Sequence, residues 1–111
     1  MKRLWMGLFL TSLLAGVAAA ANVEGTLMDK MCATAKKDAK THERSCALTP
    51  NCQKSGFGVV TADGKYLTFD EKGNAEALKA LQASKKTDDL KVSVTGDVTG
   101  DSIKVTTLKL Q

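Results

Sequence analysis

The sequence predicts a mainly β fold, a small five-stranded barrel, from three observations. Short runs of period-two alternation are separated by tight-turn dipeptides, one short helical stretch falls between the third and fourth runs, and a Cys- and His-containing helical insert follows the first. A chain of 111 residues has room for one domain. In so small a domain, short strands benefit from closing on themselves, which removes unpaired sheet edges.

Val23 to Met28 alternates weakly and suits the first strand, with Gly25 marking a bulge or a close backbone approach. Residues 29–54 form the insert, read as one or two short helices. Asp29 is placed to cap the first, Thr41 the second, and Thr49-Pro50 resembles a cap followed by a first helical position. The second and third strands flank Asp63-Gly64, read as a two-residue hairpin turn. That register pairs Val60 with Leu67 and Gly58 with Phe69 on one face, and leaves Phe57, Val59, Tyr66 and Thr68 on the other. The second face is too apolar to stand wholly in water, so the insert is expected to cover part of it. Phe57, Val59 and Tyr66 are accordingly candidates for contact with a protein partner.

Asn74 is expected to cap a helix over 75–83 in which Leu78 and Leu81 share a face. Leu90, Val92 and Val94 alternate, as do Ile103 and Val105, with Gly100-Asp101 as a tight turn between the two runs. Leu108 and Leu110 are out of phase with Val105, which calls for a bulge near Thr106 or Thr107. The order strand, insert, strand, strand, helix, strand, strand is that of the Greek-key barrel known as the OB-fold. An open five-stranded sheet with one helix is the alternative.

Residues 1–20 have the features of a cleaved export signal: Lys2 and Arg3, an apolar run from Leu4 to Val17, and a small-residue stretch at Ala18 to Ala21. The working domain is then 21–111, periplasmic or secreted, with no membrane anchor after cleavage. Lys2 and Arg3 leave with the signal, so of 16 Lys and Arg, 14 remain against 12 Asp and Glu. That near balance and the export signal argue against a nucleic-acid partner, although Phe57 and Tyr66 could stack on bases. Phosphate loops, paired catalytic carboxylates and a His-Glu-x-x-His sequence are all missing, so the expectation is a protein that is not an enzyme.

Chemistry concentrates in the insert. Cys32, His42, Cys46 and Cys52 include every cysteine and the one histidine of the chain. Three thiolates and an imidazole make a tetrahedral zinc set, and a thiol-rich set also suits copper(I). His42 and Cys46 are four apart and would share a face if that stretch were helical. Two other readings stand beside ligation. An exported domain commonly staples two cysteines, and closing the loop from Cys32 to Cys46 would contribute about 3 kcal/mol in the chain-entropy model. Any of the three pairings leaves one thiol over. Thiol redox chemistry is the remaining reading, helped by surrounding lysines that would favour a thiolate, but lacking a Cys-x-x-Cys pair.

The residues Asp29-Lys-Met-Cys32, then His42, Cys46, Cys52 and Gly56, the hairpin ending Asp63-Gly64-Lys65-Tyr66-Leu67, and Val92-Ser-Val94-Thr-Gly96 with Ile103-Lys-Val105 resemble a group of small secreted bacterial proteins with no assigned activity. The resemblance covers nearly all of the domain. It implies export, a barrel-like fold and a common role for Cys32, His42, Cys46 and Cys52.

Overall fold

The computed structural model describes residues 20–111, so the export-signal reading lies outside the described residues apart from Ala20. Five strands form a closed barrel in the order β1-β2-β3-β5-β4: β1 (Ala20–Asp29), β2 (Phe57–Thr61), β3 (Tyr66–Phe69), β4 (Lys91–Thr99) and β5 (Ser102–Leu110). All neighbours are antiparallel except β3 and β5, whose short parallel pairing closes the ring. A helix, α4 (Glu71–Ala83), lies between β3 and β4, and α1 (Lys30–Thr34), α2 (Arg44–Ala47) and α3 (Pro50–Ser55) make up the insert. This is the OB-like arrangement expected from the strand order. Among the described residues no helix is long and apolar enough to cross a membrane.

The interior is aliphatic with two aromatic rings. Leu27, Phe57, Val59, Leu67, Phe69, Val92, Val94, Ile103 and Val105 fill it, and Ala77 and Leu81 of α4 pack on the same cluster. Asp70 caps α4, its carboxylate accepting from Gly73 N–H at 3.0 Å and from Val105 N–H at 3.1 Å, so one side chain starts the helix and ties it to β5. The helix thus begins four residues earlier than the Asn74 cap would place it. Asn74 instead lies inside α4 and accepts from Phe57 N–H at 2.8 Å, linking the helix to β2.

The hairpin differs from expectation by one residue. Its loop is Ala62 to Gly64, because Thr61 N–H bonds Lys65 C=O at 2.8 Å while the Thr61 hydroxyl engages Asp63. Gly64 supplies the positive φ, +87°, that a three-residue loop with a bulge needs. Val59 therefore pairs with Leu67 and Val60 with Tyr66, and a one-residue slip exchanges the faces. Phe57 and Val59 are buried in the barrel, 2% and 0% exposed, and offer no surface to a partner. Tyr66 lies on the opposite, outer face, where its hydroxyl donates to Met28 C=O at 3.1 Å. Its ring passes over Gly58, where a Cβ would stand 2.6 Å from the ring. Gly25 is a close approach as expected, since a side chain there would collide with the Val60 carbonyl.

Two readings in the last hairpin hold. Gly100-Asp101 makes the tight β4–β5 turn, with Thr99 paired to Ser102. The register shift leaves Thr106 as the extra residue, since Thr95 pairs with Thr107 and Gly96 with Val105, which returns Leu108 and Leu110 to the core side.

Leu81 is fully buried where α4 packs on the barrel. Leu81→Ala should destabilise the domain by about 2–5 kcal/mol in urea unfolding, whereas truncation of the exposed Met31 should cost less than about 0.5 kcal/mol.

Candidate metal and thiol site

The insert straddles the barrel: Ala47 and Leu48 pack on the core cluster, while α1 and α3 lie against the outside of the wall. Met28, Cys32 and Cys52 form a second buried cluster, with Ala33, Ala39, Cys46, Val60 and Tyr66 packed around it. The outer face of β1–β3 is thus covered by the insert, though with Val60 and Tyr66 beneath it rather than Phe57 and Val59. Arg44 fastens the far end. Its guanidinium donates to Leu81 C=O at the C-terminal end of α4 and to Lys86 C=O, both at 3.1 Å, and its N–H bonds Thr87 C=O. A cation meeting the last carbonyls of a helix is favourably placed.

Each cysteine is delivered by a different short helix. Asp29 ends β1 and caps α1, its Oδ2 accepting from Cys32 N–H at 2.9 Å, and this fixes Cys32 one turn beyond the barrel wall. Cys46 is on α2, which starts after Glu43 without a side-chain cap; Thr41 does not cap it. Cys52 is on α3, which begins with Thr49 at the cap position and Pro50 in the first turn. A Pro at the helix start sacrifices no bonded N–H, which lets the chain turn back within three residues of Leu48.

The three sulfurs converge. Every pair among Cys32, Cys46 and Cys52 lies within 4.8 Å, and Cys32 Sγ and Cys46 Sγ are 3.9 Å apart. None of them is in a disulfide. His42 is not in this set. It lies in the turn before α2, so it does not share a helix face with Cys46, and its Nε2 stands 2.8 Å from Asp29 Oδ1. Asp29, Cys32 and His42 form a second close group that meets the first only at Cys32. Asp29 is fully buried and His42 is 5% exposed, and the 2.8 Å contact between them is an ion-pair distance without hydrogen-bond geometry, so Asp29 Oδ1 and both ring nitrogens of His42 lack a hydrogen-bond partner. The expected quartet is therefore resolved into a trio of thiols and a buried carboxylate–imidazole pair beside it. Asp29 is the member that reading by motif left as a helix cap. Its position three residues before Cys32 was the available signal.

The electrostatics reverse the expectation drawn from nearby lysines. Lys30, Lys36, Lys37, Lys40 and Lys54 are all exposed, so water screens them from the sulfurs. Burial first, and then the Asp29 carboxylate, push the Cys32 thiol up to about 12. Burial likewise raises Cys52. Both are neutral thiols at pH 7 until something positive meets them. Cys46 is the half-buried member, and it lines a surface groove with Lys37, Thr41, His42 and Glu43.

No protein-family model, curated protein or solved structure matches this chain.

Removing Asp29 deletes both a helix cap and one half of a buried polar pair. Asp29→Ala should cost about 3 kcal/mol or more in chemical unfolding, and Asp29→Asn, which keeps a capping oxygen, should recover part of that loss.

Proposed function

We propose that this protein is a small, exported, non-enzymatic metal-binding protein that holds one soft ion, copper(I), on Cys32, Cys46 and Cys52. The observation that carries the reading is the sulfur triangle. Three sulfurs each about 2.3 Å from a central ion lie about 4 Å from one another, and Cys32 and Cys46 stand 3.9 Å apart. Thiolates are soft donors, which favours copper(I) and zinc over hard cations. Zinc takes a fourth donor, and the imidazole beside the trio, His42, turns its Nε2 to Asp29 Oδ1 at 2.8 Å and groups with Cys32 alone of the three thiols. Three-coordinate copper(I) needs no such rearrangement. The raised thiols fit the same reading, since a bound cation replaces their protons and offsets the charge that burial disfavours.

The Asp29–His42 pair supports the site from behind. Asp29 orients Cys32 by accepting its N–H and has the imidazole packed against its other oxygen at 2.8 Å. Loss of a group that orients a ligand commonly weakens metal affinity about 10–100-fold.

The test is a copper(I) titration of reduced protein against a coloured copper(I) chelator, with zinc titrated in parallel. The expected result is one copper(I) per chain, lost in each Cys→Ser variant and retained with weakened affinity in His42→Ala. Failure to retain copper(I) against the chelator would overturn the reading. Tight zinc binding that vanishes in His42→Ala would replace it with a four-coordinate zinc site.

A further inference from the structure

Beyond metal binding, and on two of the same sulfurs, we infer that Cys46 and Cys32 form a thiol–disulfide exchange pair acting on a small-molecule disulfide, with Cys46 the thiol that meets it. Three observations lead there. Cys46 is half-buried while Cys32 and Cys52 are 4% and 5% exposed, so an incoming disulfide meets one sulfur first. Cys46 lines a groove whose rim mixes charge, Lys37 and Asp38 with Glu43, and suits a zwitterionic thiol compound better than an apolar one. Directly behind it Cys32 Sγ is in contact at 3.9 Å, close enough for side-chain rotation to reach the bonded separation of about 2.05 Å.

The chemistry balances without any further oxidant. The Cys46 thiolate attacks one sulfur of the disulfide RSSR, the S–S bond breaks, and RS⁻ leaves with the electron pair while Cys46 keeps the mixed disulfide Cys46–S–S–R. Cys32 then attacks the Cys46 sulfur, its proton passing to the second departing RS⁻. The first RS⁻ takes up the proton that Cys46 gave to solvent. The protein loses two electrons as a dithiol, and RSSR gains them as two RSH. Cys52 takes no part and remains a thiol. A chain in the Cys32–Cys46 disulfide form retains one of its three sulfur donors, so the same exchange would govern whether the centre can hold an ion.

Metal-free protein incubated with glutathione disulfide, quenched in acid, alkylated and mapped by peptide mass spectrometry tests this. The wild-type chain should yield a Cys32–Cys46 disulfide with Cys52 alkylated. Cys32→Ser, checked for folding by circular dichroism, should accumulate glutathione on Cys46. Cys52→Ser separates this inference from the metal reading, because it should lose copper(I) retention yet exchange at the wild-type rate. A first adduct on Cys52 or Cys32, a disulfide that includes Cys52, or the absence of any disulfide in the wild-type chain would overturn the inference.

Discussion

Asp29 is the constraint on which the rest of the site depends. It is the last residue of a barrel strand, paired in register with Phe57, and the cap of the helix that carries Cys32. A fully buried carboxylate is costly to keep away from water unless its oxygens are occupied. Here one oxygen accepts the Cys32 N–H, and the other has no hydrogen bond and only the His42 imidazole beside it at 2.8 Å. The point where the sheet ends, the helix starts and the histidine docks is thus a single side chain. Its negative charge also reaches the sulfurs, adding to the burial that raises Cys32.

The barrel and the insert divide the work. The barrel is an aliphatic core closed by strand pairing all the way round, with α4 packed against it. It supplies rigidity and, at the end of β1, Asp29. The insert is made of helices of four to six residues, too short to persist alone. It is held to the barrel by its buried cluster over Tyr66 and Val60, by Lys30 N–H on Gly56 C=O, and by Arg44 at the end of α4. Three short helices held in this way can bring three thiols to one point, where three positions on one face of a single helix are spread over about two turns.

Much of the barrel was legible because it is written in local chemistry. Period-two alternation, Gly100-Asp101 and the phase slip at Thr106 each report a strand, a turn or a bulge without knowledge of distant residues. Asp29 and Thr49-Pro50 were likewise readable as helix starts. Misreadings arose where a competing local bond or a tertiary contact decided. Thr61 closes the hairpin one residue early, and this alone moved Phe57 and Val59 from an expected outer face into the core. Asn74 looks like a cap but bonds Phe57, and the residue that does cap is drawn to Val105. For the site, clustering in sequence identified the right residues but could not tell that three would meet while His42 turned to Asp29. That division depends on how three helices fold back on one another, for which the spacing of ligands along the chain carries no signal. Exposed lysines counted as neighbours in sequence also proved remote from the thiols in effect.

The central claim is that three sulfurs, and not the imidazole, form the first coordination sphere of a soft ion. X-ray absorption at the copper edge of the copper(I)-loaded protein tests it most directly. The account predicts a single shell of three sulfur scatterers with no imidazole pattern, identical in wild type and in His42→Ala. A nitrogen scatterer with the outer-shell signature of imidazole that disappears in His42→Ala, or a two-sulfur shell, would contradict it.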